Sequence, residues 1–202
     1  MDLATWLAFC AAALVMLLIP GPTILLVIGQ SLGGGARNAL PLVAGVALGD
    51  LTAMTLSLAG LGAVLAASAT LFTALKWIGA GYLIWLGVKM WRAPVEASAA
   101  PPLPAGRAMR EAWLVTALNP KGIVFFVAFV PQFIDPARPF VTQAALLVAT
   151  FVTLAAANAA IYAALAGRLS GAVRRPSVRR LLNRLGGGVL MGAGLAVALR
   201  RG

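Results

Sequence analysis

Six long apolar stretches alternate with short polar connections along the chain, at about 3–28, 40–65, 71–91, 112–134, 142–165 and 183–199. Each approaches or exceeds the ~20 residues that a helix needs to cross a ~30 Å hydrocarbon core. The runs lack the alternation of lumen-facing and lipid-facing positions that a strand barrel requires. Two of them, the first and the fourth, are interrupted by proline, at Pro20-Gly21-Pro22 and at Asn119-Pro120-Lys121. Proline removes a backbone donor and clashes with the preceding turn, so a lipid-facing helix avoids it unless the freed carbonyls find other partners. Matching breaks in two halves of a chain point to a transport site near the bilayer midplane. The pattern therefore predicts an all-α integral membrane protein of six transmembrane helices, with proline-broken helices 1 and 4.

Composition agrees with the pattern. With 61% hydrophobic and 10% charged residues, the chain has too little polar surface to cover a soluble globule of its size. The first stretch opens on Met1-Asp2 rather than a basic segment and is longer than the apolar part of a secretory signal, so it reads as a spanning helix. The net charge of +11 would suggest nucleic acid in a soluble protein, but its placement assigns it to topology. Eleven Lys and Arg fall at the connections after spans one, three and five, against four on the other side. The positive-inside rule puts the first group in the cytoplasm, with both termini outside a multi-pass protein of the cell inner membrane. Histidine is absent and Cys10 is the single cysteine, which leaves no metal-ligand cluster and no intrachain disulfide. No phosphate loop is present either, so neither metal nor cofactor is expected and ATP-driven transport by this chain alone is disfavoured.

The halves resemble each other. At an offset of 107, Leu75 coincides with Leu182, Gly79 with Gly186, Gly81 with Gly188, Leu83 with Leu190 and Gly87 with Gly194, while Pro20 matches Pro120 at an offset of 100. Three spans per half is an odd number, so the second copy is inverted relative to the first, as in many secondary transporters. The expected organisation is one transmembrane transporter domain over 1–202. Repeat one covers about 1–91, an exposed proline-rich cytoplasmic linker about 92–111, and repeat two about 112–202. Gly45 with Gly49, and Gly188 with Gly192, are spaced for close helix packing.

Polar residues within the spans are few. Asp50 is the only acidic one, Lys121 carries the opposite charge at similar depth, and Asn158 lies near the repeat equivalent of Asp50. A carboxylate in hydrocarbon costs about 2.5 to 3.5 kcal/mol on insertion scales, so Asp50 is expected to face the bundle interior. The candidate site is thus Pro20, Gly21, Pro22, Asp50, Asn119, Pro120, Lys121 and Asn158, for substrate binding or coupling. The alternative is a structural ion pair between Asp50 and Lys121, with an amide holding the helices together.

Several segments resemble a known family. Pro20-Gly21-Pro22 followed by Leu25-Leu26-Val27, Gly35-Ala36-Arg37-Asn38-Ala39-Leu40, Gly45 with Gly49-Asp50, the run from Leu75 to Leu83, and Asn119-Pro120-Lys121 are similar to the LysE/RhtB amino-acid exporters over nearly the whole chain. The resemblance implies an inner-membrane exporter of amino acids or close derivatives driven by the proton gradient. Its partners would be that small-molecule substrate, protons and the lipid bilayer, without nucleic acid and with homodimerisation left open. Such a pocket needs donors for a carboxylate, which Lys121 and freed N–H groups offer, and acceptors for an ammonium, which Asp50, amides and unpaired carbonyls near Ile19 offer. Phe125, Phe126, Trp85 and Tyr162 are candidate walls. A passive channel or facilitator for small polar solutes is the rival reading, although it needs a continuous polar stripe. An enzyme is disfavoured for want of a base, nucleophile or metal.

Overall fold

The computed structural model describes residues 1–34, 36–67 and 103–173, with isolated helical positions between 74 and 92 and between 177 and 199; the side chains of 32–38, 61–67 and 167–173 lie outside that description. Within it the chain is helical, without strands. The helices are α1 (Leu3–Leu18), α2 (Pro22–Gly34), α3 (Ala36–Ala67), α4 (Ala105–Ala117), α5 (Pro120–Val124) and α6 (Phe140–Val173), with a π-helical turn at Phe125–Phe129 and a 3₁₀ turn at Val130–Phe133 after α5.

Two helical segments, Ala39–Gly60 and Phe140–Ala166, are individually long and apolar enough to cross a membrane. Two more spans arise if each bent pair counts as one: Leu3–Leu18 with Pro22–Ser31, bent by 57°, and Ala105–Ala117 with Pro120–Phe133, bent by 40°. The first and fourth apolar stretches are therefore broken at the prolines the sequence singled out. About half of the third and sixth stretches, and Gly79, Gly186 and Gly194 of the internal repeat, lie outside the described residues. Where described, the two stretches meet backbone to backbone, since a side chain added at Gly87 would strike Gly187 and Met191.

Local chemistry sets the helix ends. Asp2 caps α1 by accepting from the Thr5 amide at 2.8 Å and the Thr5 hydroxyl at 3.1 Å. Pro22 and Pro120 each stand in the first turn of a helix, where a missing N–H costs nothing. α4 begins at Ala105, so the final residues of the stretch read as linker, Arg107 and Arg110 among them, are helical. Polar residues on one face and Ala108, Ala112 and Thr116 on the buried face make that helix amphipathic, a periodicity that its proline-rich approach obscures.

Close packing of α3 on α4 runs through the glycine pair. A methyl at Gly45 would overlap the Met109 carbonyl, and one at Gly49 would lie 2.6 Å from the Thr116 Cβ. Two apolar clusters flank the middle of the bundle. One is aromatic, built on Phe9, Phe125, Phe126, Phe151 and Met54; the other is built on small residues and Val27, Leu42 and Val46. Leu3, Leu40, Leu56, Leu118 and Val141 point outward, each more than two-thirds exposed, which gives the bundle an apolar periphery as well as an apolar core.

Candidate functional site

The two breaks face each other in the middle of the bundle, and the break in the first span is held by side chains from the second half. A helix normally satisfies the carbonyl of residue i with the amide of i+4. Pro20 and Pro22 have no amide hydrogen, so the carbonyls four residues earlier, Met16 and Leu18, lose their helical donors. Lys121 Nζ donates to Met16 O at 3.1 Å and to Ile19 O at 2.9 Å. Tyr162 Oη donates to Leu18 O at 3.0 Å, and Asn158 Nδ2 to Leu17 O at 3.1 Å. Asn158 and Tyr162 are one helical turn apart on α6 and share a face. Four consecutive carbonyls thus find side-chain donors, and the one cation among them sits where the helix dipole favours positive charge.

The second break is built differently. Asn119 caps α5 by accepting from the Lys121 amide at 3.1 Å, and its Nδ2 donates to Thr23 Oγ1 at 3.2 Å. The same Thr23 oxygen accepts from Thr116 Oγ1 at 3.3 Å. Thr23 opens α2 and Thr116 closes α4, so a buried hydroxyl and amide cluster pins one break to the other.

Between them lies a cavity of about 30 Å³, lined by Gly21, Thr23, Asp50, Asn119, Lys121, Phe151 and Asn158 among others. That is room for about one water molecule. Asp50 and Lys121 are both buried. Both line the cavity, and no direct ion pair forms between them.

Five of the eight site residues named from the sequence line this cavity: Gly21, Asp50, Asn119, Lys121 and Asn158. Pro20 is buried beside it, whereas Pro22 and Pro120 are exposed and act through the breaks they create. The candidate walls do not line this cavity. Trp85 is half exposed with Lys89 Nζ 5.1 Å from its ring centroid, Phe125 and Phe126 belong to the aromatic cluster, and Tyr162 serves as a carbonyl donor. Phe151 is the aromatic residue that reaches the cavity, wedged against Phe126 at 4.9 Å between ring centroids. Thr23 and Thr116 were not legible in sequence, because isolated threonines in apolar helices commonly bond to their own backbone, as Thr52 and Thr153 do here.

The sequence model described as LysE type translocator matches residues 14–201, which contain every residue of the cavity. The chain belongs to the LysE-type translocators. Among this translocator's relatives is an uncharacterized membrane protein of Vibrio cholerae, 40% identical over 98% of both chains. The homoserine/homoserine lactone efflux protein of Salmonella typhimurium is 33% identical over 97% of both. The leucine efflux protein of Salmonella choleraesuis is 32% identical, over 70% of this chain and 69% of its own. No solved structure matches. Membership together with the apolar, outward-facing helices makes the translocator a membrane protein.

Proposed function

We propose that this translocator is a secondary-active, proton-coupled exporter of amino acids or close derivatives. The observation that carries the reading is the meeting of two proline-broken spans at a buried cavity that holds one carboxylate and one ammonium, Asp50 and Lys121. Ionisable groups are costly at membrane depth and mark pathways and relays. The efflux proteins it resembles support the substrate class. Homoserine, homoserine lactone and leucine share a primary ammonium, while the lactone has no free carboxylate, so the ammonium is the feature a common site would recognise.

In this proposal six spans form two inverted repeats, about 1–91 and 112–202, joined by a cytoplasmic linker, with both termini outside the inner membrane. The contact between Gly87 and Gly187 supports pairing of the two halves through their last spans. A cavity with room for about one water is too small for an amino acid, so alternating access requires the halves to separate around it. Asp50 takes up a proton on one side and loses it on the other, which couples the gradient to substrate release.

Efflux from cells loaded with single amino acids, and from proteoliposomes with an imposed pH gradient, tests the proposal. Saturable, uncoupler-sensitive export of at least one amino acid is expected. Non-saturable flux that ignores the gradient would instead establish the passive channel or facilitator.

A further inference from the structure

The end of α1 already binds an ammonium. Lys121 Nζ lies 2.9 and 3.1 Å from two backbone carbonyls, one of which, Met16 O, is without its helical donor because residue 20 is proline. The group held there is a primary alkylammonium, chemically the same as the ammonium of a free amino acid. We propose that this carbonyl cage is the ammonium subsite of the transport site and that Lys121 is its tethered occupant, displaced when substrate binds.

Three observations make the displacement physical. The adjoining cavity of about 30 Å³ has room for about one water and is too small for an amino acid, so substrate enters only if a resident group moves. The lysine stem lies over Gly21, within van der Waals reach of it: a Cβ there would stand 3.4 to 3.8 Å from Nζ, Cε and Cδ. Asp50 lines the same cavity and makes no hydrogen bond or ion pair among the described residues, so it can receive the displaced Lys121. Leaving a buried ammonium without acceptors is expensive, whereas exchanging one primary ammonium for another, with Lys121 passing to Asp50, keeps both cations paired. An ammonium has three N–H donors, of which Lys121 gives two to the carbonyls. A quaternary ammonium offers none, and an N-acylated amine has neither the charge nor the donor geometry. The subsite therefore selects free primary ammonium compounds with little regard to what stands at the carboxyl carbon.

The link to substrate rests on the exporter reading above, but the cage can be probed without transport. Truncation by Lys121→Ala removes a propylammonium fragment beyond Cβ. The purified full-length variant in detergent or nanodiscs should melt below wild type and recover with added n-propylammonium. Its midpoint should rise with the logarithm of probe concentration, while n-propanol and tetramethylammonium have no effect and wild type, whose own lysine competes for the cage, responds only at much higher concentration. A melting temperature indifferent to propylammonium overturns the cage. If the variant does not accumulate, wild-type export decides: propylammonium should inhibit competitively, an amino-acid amide should be exported, and the N-acetyl amino acid should not. Export of the N-acetyl compound at the rate of the free amino acid overturns the proposal while leaving the exporter intact. Failure to export any amino acid sinks the exporter reading, and propylammonium rescue still reports on the cage.

Discussion

Replacing Gly49 by alanine tests whether the packing of α3 on α4 holds the site together. The new methyl would sit 2.6 Å from Thr116 Cβ and 2.8 Å from the Trp113 carbonyl oxygen. Carbon atoms in contact are ~3.5–4.0 Å apart, so the helices must separate by about 1 Å or the backbone must bend. Overpacking of this kind costs about 1–3 kcal/mol, against which alanine in a helix gains about 0.5–1 kcal/mol over glycine. Gly60, on the same helix, removes the ambiguity. A methyl there meets nothing within 4 Å, so Gly60→Ala should keep only the propensity gain. The difference between the two variants should therefore be about 1–3 kcal/mol, because the propensity contribution cancels. Unfolding of the purified protein in mixed micelles, followed by tryptophan fluorescence, measures it. Export should fall with Gly49→Ala, since Thr116 carries the bond to Thr23 and precedes the second break. Combining it with Gly45→Ala should cost less than the sum, because a separation of α3 from α4 forced by one methyl also makes room for the other. Equal stability of Gly49→Ala and Gly60→Ala would refute the close approach.

Asp50→Asn keeps size and hydrogen-bonding capacity but cannot titrate, so uphill export should vanish while substrate exchange persists in counterflow; export against a gradient at wild-type level would make Asp50 structural. Asn119→Ala removes the cap of α5 and the amide bond to Thr23, and should lower stability by about 0.5–2 kcal/mol, measured in the same micelle titration. Pro120→Ala should cost less than that, because a missing N–H at a first helical position is no loss. At the N-terminus, the Thr5 amide and hydroxyl hold the Asp2 carboxyl below its ordinary value. The capping contribution is thus present above the ordinary carboxylate range and lost as pH falls through the lowered value. Amide protection in the first turn of α1, taken relative to the intrinsic exchange rate at each pH, should fall on acidification, and Asp2→Asn should flatten that response.

The sequence by itself determined the helical character of the first, second, fourth and fifth apolar stretches, the two breaks and most of the polar residues at the cavity. Those properties are local or nearly so. Hydrophobic run length sets the spans, proline cannot continue a helix interior, and an ionisable residue in an apolar run has to face inward. Asp50, Asn119, Lys121 and Asn158 were legible for that reason, and the cavity gathers all four. Tertiary structure decided the partners. Lys121 invites pairing with Asp50 in sequence, yet its ammonium rests on backbone carbonyls of α1, because prolines 100 residues away left an acceptor vacant there. Tyr162 reads as an apolar wall, yet its hydroxyl closes the gap opened by Pro22. Phe151, Thr23 and Thr116 carry no signal, since an aromatic or a threonine in an apolar helix is equally at home in core or in lipid. Which residue fills an orphaned carbonyl depends on how distant helices cross, and a pattern along one chain does not encode that crossing.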